Sequence, residues 1–405
     1  MRHVVVMLAT SYPRFPGDGV GSFMEPIAKS VAARGHEVHM VAPWHPAITR
    51  GKVEDGVFFH FYKYAPAASL NVFGYAGGLR ADTALKAAAW AIAPAALAAG
   101  WFKAWRVATK KRATVMHGHW VIPGGVTAML AAGSRPLVIS LHGSDVFVAE
   151  QHGAVRRAAR AAFARAAWVT ACSDDLRTRA IAIGADASRI ETVPYGVDAV
   201  RFAPNAVTRA AVRRERGLGD APVVFAAGRL VNKKGFEFLI DAAARLRVDL
   251  PSLRVLIAGD GDLRDELAQR AAAIAPAVQL IGNAGQDEVA RLCAAADVIA
   301  VPSVHDQAGN VDGLPNFALE ALASATPVIA TGVGGLPAVV RDGLTGRIVA
   351  ERDAAALAAA IDSLLARPAE ARTLGDAARA LVMRDYGWAR VAERFEMAYD
   401  VGAAR

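Results

Sequence analysis

Cysteine is almost missing from this chain: Cys172 and Cys293 are the two in 405 residues. Each lies in an apolar strand-like or helical context, so neither a disulfide framework nor a zinc cluster can be built from them. They read as small buried hydrophobes, and a reducing compartment fits. Acids are the minority charge, 38 against 46 bases, which leaves a net charge of +8 and a pI near 9.7. That balance suits anionic partners. No long basic run exists beyond Arg106–Arg112, so nucleic acid is not a favoured partner. The opening apolar run, Val4–Ala9, is too short for a signal peptide and predicts a first buried strand. The dinucleotide fingerprint G-x-G-x-x-G is also lacking. Gly17-x-Gly19-x-Gly21 stands in its place with no ribose-binding acid at the right distance, which argues against a nicotinamide cofactor.

What the chain does have is apolar residues, 54% of the total with a mean hydropathy of +0.26. At this length two domains of about 200 residues are the default. Strands are expected at Val4–Thr10, Glu37–Pro43, Val57–Tyr62, Thr114–His117, Leu137–Leu141, Trp168–Ala171 and Arg189–Val193. Helical patterns separate most of them, the first from about Ser22 to Arg34. Pro194-Tyr-Gly-Val-Asp198 and Arg201-Phe-Ala-Pro204 are dense in turn signals and mark a linker. A second series follows at Val223–Ala227, Arg254–Ala258, Val278–Ile281, Val298–Val301 and Val328–Ala330, with helices at Gly235–Val248, Leu263–Ala275 and Asp287–Ala295. From Asp353 the pattern is helical, broken at Pro368 and Gly387. Two such alternations predict an α/β chain of two doubly wound, Rossmann-like domains facing a cleft, 1–200 and 201–385, with a last helix over 386–405 returning to the first domain.

Ala84–Phe102 departs from this order. It is long, rich in Ala and Trp, and followed by Lys103, Arg106, Lys110, Lys111 and Arg112. Pro94, Gly100 and the weak hydrophobicity of alanine argue against a membrane span. The segment reads as an amphipathic helix for an anionic membrane surface, with Trp90, Trp101, Phe102 and Trp105 at the interface. An ordinary sheet-covering helix with a solvated basic end is the plainer alternative.

Three stretches carry candidate chemistry. Asp312-Gly-Leu-Pro-Asn-Phe-Ala-Leu-Glu320 follows a strand and opens a helix, with Pro315 expected at the first helical position. Free N–H groups there favour an anion, and Glu320 is placed to accept hydrogen bonds from sugar hydroxyls; mere capping is the plain reading. Gly228-Arg-Leu-Val-Asn-Lys-Lys-Gly235 follows the first strand of the second domain, where Arg229 and Lys234 can converge on a diphosphate. Lys233 is expected to point away from its neighbour. Leu141-His-Gly-Ser-Asp145 ends a strand of the first domain, so His142 can meet a substrate, although a lone strand-end histidine is more often structural. His117, Gly118, His119 and Trp120 form a similar cluster, too sparse for a metal. Asp260-Gly-Asp262 reads as a turn and cap.

Taken together, these stretches and the Pro194–Asp198 hinge resemble a family-4 retaining glycosyltransferase of GT-B fold, over essentially the whole chain. The resemblance implies an N-terminal acceptor domain and a C-terminal nucleotide-sugar domain. Arg229 and Lys234 match the pair on the donor diphosphate, and Glu320 matches the second acid of an E-x7-E motif, on the ribose. Asp312 falls at the first acid, beside the transferred sugar, and Gly313, Leu314, Pro315 and Asn316 match the loop that reaches sugar and phosphate. Gly19 and Gly21 match a loop over the diphosphate, and His142 a histidine at the reacting centre. Two departures stand out: Asp312 replaces the commoner Glu, and Tyr195 replaces an Asn, a change expected to have little consequence. The implied reaction moves a hexosyl unit from a nucleotide-diphosphate sugar, UDP preferred over GDP, to a glycan or lipid-linked acceptor in envelope polysaccharide or glycolipid synthesis. Neither metal nor other cofactor is expected, and the implied location is the cytoplasm, peripheral to the inner membrane face. A GT-B nucleotide-sugar epimerase and a non-catalytic nucleotide-sugar-binding protein are the alternatives.

Overall fold

Parallel strands covered on both faces read as short unbroken apolar runs. In a computed structural model, describing residues 1–67, 70–71, 74–75, 79–80, 84–85, 87–307 and 309–403, those runs form two separate parallel sheets. Contacts divide the chain into two units, Met1–Gly196 with Trp388–Arg405, and Val197–Gly387.

Unit 1 contains β1 (Val4–Leu8), α1 (Met24–Ala33), β2 (Glu37–Pro43), β3 (Val53–Glu54), β4 (Val57–Tyr62), β5 (Leu79–Arg80), β6 (Ala84–Leu85) and α2 (Ala87–Lys110). It continues with β7 (Val115–His119), α3 (Val126–Ala132), β8 (Leu137–Leu141), α4 (Ser144–Gln151), α5 (Gly153–Arg165), β9 (Trp168–Ala171), α6 (Asp174–Ile183) and β10 (Ile190–Thr192). The sheet order is β10-β9-β8-β7-β1-β2-β4-β3, parallel except where β3 pairs antiparallel with β4. The winding reverses between β7 and β1. Their carboxyl ends therefore flank the switch point, where doubly wound sheets bind ligands.

Unit 2 contains α7 (Ala206–Glu215), β11 (Val223–Ala227), α8 (Phe236–Leu246), β12 (Arg254–Ala258), α9 (Arg264–Ala272), β13 (Val278–Gly282) and α10 (Gln286–Ala295). Then follow β14 (Val298–Val301), α11 (Asn316–Ala323), β15 (Val328–Thr331), α12 (Leu336–Val339), β16 (Arg347–Val349), α13 (Ala354–Ala366) and α14 (Pro368–Asp385). Its wholly parallel sheet runs β13-β12-β11-β14-β15-β16, so the reversal lies between β11 and β14. Leu239, Ile240 and Ala243 on one face of α8 join Val255, Ile257, Leu357 and Ile361 in a fully buried core. Each large aliphatic so buried contributes about 1.5–3 kcal/mol.

The last helix, α15 (Trp388–Ala403), belongs to unit 1. It buries Val391, Phe395 and Tyr399, and the Trp388 ring lies so close to Gly196 that a Cβ there would fall 2.6 Å from it. Several boundaries differ from the sequence reading. Helix α1 starts at Met24, two residues late, because no side chain caps its N-terminus. Strand β7 extends to His119, since Gly118 and His119 keep pairing with β8. Helix α2 passes unbroken through Pro94 and Gly100. It buries Ala104, Val107 and Ala108 while Trp101, Phe102 and Trp105 stay 41%, 50% and 45% exposed; Lys86 and the side chain of Trp90 lie outside the described residues. Among the described residues no helix is long and apolar enough to cross a membrane.

Candidate functional site

In unit 2 the two loops flanking the switch point carry the charged candidates. The chain leaves β11, passes Gly228 and the exposed Arg229, and turns through a single 3-10 turn, Asn232–Lys234, into α8. Gly235 closes that turn at φ +61, and a Cβ there would stand 2.1 Å from the Pro302 carbonyl oxygen, so only glycine fits. Such a tight turn swings adjacent side chains to one side. Lys233 Nζ lies 3.0 Å from Asp312 Oδ1 and Lys234 Nζ 2.5 Å from Asp312 Oδ2. The expectation that Lys233 points away is thereby corrected. Burial alone pushes the Asp312 carboxyl pKa up, but the two ammonium groups override it and hold it far below the usual range. Asp312 therefore carries no proton to donate near neutral pH.

Asp312 leads into Gly313, Leu314 and Pro315, all buried. Pro315 is not the first helical residue: it is the N-cap, at φ −63 and ψ 124, and Ala318 N–H bonds its carbonyl. Asn316 opens α11 with its side-chain Oδ1 buried and unpartnered, as is the Ser303 hydroxyl beyond β14. Glu320 lies one turn in. Burial raises its pKa from 4.5 to about 7, opposed by the positive charge of Arg201, so it sits near half-protonated in neutral solution. Two ammonium groups against one carboxylate, beside atoms of Asn316 and Ser303 that are orphaned among the described residues and a helix N-terminus, form an arrangement whose chemistry suits an anion. Asp260 caps its own turn through a bond to Gly261 N–H and pairs with Arg264, as a plain turn residue does. Among the described residues no group of three or more His, Cys, Asp or Glu is arranged to hold a metal ion.

In unit 1 the glycine loop follows β1. Asp18 organises it, accepting from Arg14 and Val20 N–H and holding the Arg14 guanidinium through both oxygens at 2.7 and 2.9 Å. Gly21 has φ +66, and a Cβ there would come 2.9 Å from Ser11 Oγ, whereas Gly19 faces open space. Across the switch point, β7 places His117 and His119 on one face because they are two residues apart. His117 bonds Tyr399 Oη at 2.8 Å and Ser140 Oγ at 2.7 Å. His119 Nδ1 meets His142 Nε2 at 3.0 Å, and His142 Nδ1 meets the Tyr195 hydroxyl at 2.8 Å. Both ring nitrogens of His142 are thus engaged within unit 1. Burial lowers the pKa of His142 to about 3 and of His117 to about 3, and puts His119 well below normal. All three are neutral. Phe23 packs against His142 and Tyr195 with ring centroids 4.8 Å apart in each case. Asp145 is buried and accepts from Val121, Gly143 and His142 N–H; it fixes the loop carrying His142.

The contacts bring in three residues that sequence reasoning had not joined to these clusters. Lys233 was set aside, Tyr195 was judged inconsequential, and His119 had no assigned task. The spacing of His117 and His119, two apart on a strand, was the available signal for the last.

Two family models match the chain. Glycosyl transferase 4-like domain matches residues 18–196 and Glycosyl transferases group 1 matches 221–367. A GDP-mannose-dependent α-(1-6)-phosphatidylinositol monomannoside mannosyltransferase of Mycolicibacterium smegmatis is 37% identical over 272 residues, 65% of this chain and 70% of that one. A glycogen synthase of Mycobacterium tuberculosis is 29% identical over 98% of this chain and 94% of its own. Among solved structures, Anabaena HepE in complex with UDP superposes with a TM-score of 0.78 at 20% identity, covering 98% of this chain and 99% of its own. Sucrose-phosphate synthase from Thermosynechococcus elongatus gives 0.79 at 22% identity, with both chains fully covered. Two parallel-sheet units, each with its candidate residues at the switch point, and matches spread along both of them lead to one conclusion: this chain belongs to the family-4-like glycosyltransferases of GT-B fold.

Proposed function

We propose that this glycosyltransferase transfers a hexosyl unit with retention of configuration from a nucleotide-diphosphate sugar to a lipid-linked or other membrane-presented glycan acceptor. One observation carries the donor half: Lys233 and Lys234 converge on Asp312 beside the start of α11, with Arg229 on the same loop. In this reading the diphosphate replaces Asp312 as partner of at least one lysine. Arg229 and Lys234 then stabilise the leaving group, an electrostatic task for prearranged cations. Gly313, Leu314, Pro315 and Asn316 line the sugar, Asp312 orients it, and Glu320 accepts from the ribose hydroxyls. Gly19 and Gly21, lacking side chains, let an anion approach the backbone of the unit 1 loop closely. Neutral His142 serves as a fixed hydrogen-bonding wall, not as an acid. The reading takes front-face attack, with the leaving phosphate accepting the acceptor proton, in place of the paired-carboxylate route of retaining hydrolases. Because the protein's own cations suffice for the charge, no metal or other cofactor is invoked.

The donor panel pairs GDP-mannose, the donor named for the 37% identical relative, with the UDP-hexoses that the sequence reading preferred. A thermal-shift series of UDP, GDP, ADP and their sugars gives the base, since a ligand of the native state raises the melting temperature. Labelled-sugar transfer to lipid extracts then tests turnover. Conversion of the donor without acceptor identifies an epimerase, and binding without any turnover a non-catalytic protein. Either result overturns the proposal.

The membrane half rests on α2. Its exposed Trp101, Phe102 and Trp105 precede the exposed Lys110, Lys111 and Arg112, a pairing suited to an anionic interface on the inner face of the cell membrane. Co-sedimentation should favour phosphatidylglycerol vesicles over phosphatidylcholine, and replacing the three aromatics by serine should abolish the difference. Equal sedimentation with both lipids rejects this half alone.

A further inference from the structure

The carboxyl ends of β2 and β4 carry a second group of side chains that the donor reading leaves unused. Directly after β2 come Trp44 and His45, both half-buried. Lys63, just past β4, is exposed and sets its ammonium 4.0 Å from the Trp44 ring centroid. The Tyr75 ring lies 5.1 Å from that of His45, and the Arg14 guanidinium stands 5.8 Å from Tyr75 and 5.7 Å from the partly exposed Phe15.

Two features show that this shelf is built and not accidental. Tyr75 is held at φ +54, a region that costs a non-glycine residue roughly 1–3 kcal/mol. Its hydroxyl donates to the Pro43 carbonyl at 2.8 Å, and the neighbouring Gly74 approaches Thr10 so closely that a Cβ would stand 2.5 Å from its oxygen. The strained residue is thus pinned across the ends of β1 and β2. The donors also face one way chemically. His45 Nδ1 accepts from Ala47 N–H at 3.1 Å, which leaves the proton of the neutral ring on Nε2. Asp18 takes Nε and Nη2 of Arg14, and Nη1 makes no hydrogen bond among the described residues. Asp18 is the one acid in contact with these side chains among the described residues.

We propose that Trp44, His45, Lys63 and Tyr75, with Arg14 Nη1, form the acceptor subsite and select a sugar-like ring bearing an anionic group, a phosphate or a carboxylate. Aromatic faces suit the C–H surface of a pyranose, and the cations, in excess over Asp18, suit the anion. The proposal rests on the transferase reading for the word acceptor, yet its test needs no turnover. Isothermal titration of the full chain with mannose, mannose 6-phosphate, glucuronate and inorganic phosphate separates the contributions. One or both anionic sugars should bind about tenfold more tightly than mannose, a difference of about 1.4 kcal/mol. Which of the two does so assigns phosphate or carboxylate. Lys63→Gln should erase that preference and Lys63→Arg should keep it. Trp44→Leu should weaken the sugars while leaving inorganic phosphate unchanged. Nucleotide binding by all three variants should match the parent, which shows that the fold is intact. Equal affinity for mannose and both anionic sugars, or inorganic phosphate binding as tightly as mannose 6-phosphate, overturns the proposal. Absence of donor turnover would sink the transferase reading and leave these affinities to be measured.

Discussion

The two switch points solve the same topological problem with opposite chemistry. Unit 2 gathers full charges: two ammonium groups on one carboxylate, and a second carboxylate, Glu320, whose pKa burial lifts to about 7. Unit 1 gathers neutral rings: His117, His119 and His142 are bonded to Tyr, Ser or each other and stripped of protons by burial. A charged cluster held by ion pairs can trade its carboxylate for an incoming anion. A neutral cluster, with both nitrogens of His117 and of His142 engaged and only His119 Nε2 unpartnered among the described residues, is better suited to hold a wall in place. On the function proposed above, this contrast assigns donor charge to unit 2 and shape to unit 1.

The sharpest way to break this contrast is pH. Folded His117, His119 and His142 have depressed pKa values, so unit 1 has its full stability above about pH 6.5 and loses it as pH falls toward 3. His117 and His142 each cost about 1.4 kcal/mol per pH unit across that window, and His119 acts in the same direction. Glu320 is raised, so its contribution runs the other way: unit 2 is steadiest near pH 4.5 and loses stability as pH rises through 7. Hydrogen exchange at pH 5 and 7.5, corrected for intrinsic rates, should show unit 1 loosening on acidification while unit 2 tightens. Parallel behaviour of the two units would remove the distinction.

Next in size is Lys234→Ala. Loss of one prearranged cation on the leaving group should lower sugar transfer by about 10²–10³-fold, and Lys233 should not compensate if both lysines are needed. Transfer within threefold of the parent would show that the cluster only steadies the loop. Glu320→Gln comes third. It should raise stability by about 2–3 kcal/mol at pH 8 and change little at pH 4.5, while weakening nucleotide binding; a denaturant titration at both values checks the sign. Smallest is Tyr195→Phe, which leaves His142 Nδ1 without its partner and should cost about 1–2 kcal/mol. Nitrogen NMR of His142 would reveal the loss of a fixed tautomer, and an unchanged spectrum would dismiss Tyr195 as a positioning residue.

Much of the fold was legible in the sequence. The strands Glu37–Pro43, Val57–Tyr62, Leu137–Leu141, Trp168–Ala171, Val223–Ala227, Arg254–Ala258 and Val298–Val301 match the sequence reading residue for residue. Each is a mainly apolar run, broken at most by single residues such as His39, His60, Ser140 or Thr170, and bounded by polar or turn residues. Helix α2 was legible as a helix but not in its bounds: the stretch Ala84–Phe102 was expected and Ala87–Lys110 is found, with Pro94 and Gly100, which counted only against a membrane span, inside it. Gly100 is instead where Tyr62 packs, its hydroxyl 2.9 Å from where a Cβ would stand. The candidate motifs were legible as strand-end loops, yet their partners were not. Lys233 could not be joined to Asp312, nor His142 to Tyr195 and His119.

Periodicity and turn chemistry are local, so they suffice for the two α/β series, the break near Gly196 and the strand ends at which polar residues collect. Only the tertiary structure decided the state of those residues. Whether a lysine turns toward an acid 79 positions away, whether a histidine keeps its proton, and whether Glu320 is ionised depend on burial and on neighbours brought together by sheet order. That information is absent from any short stretch of the chain.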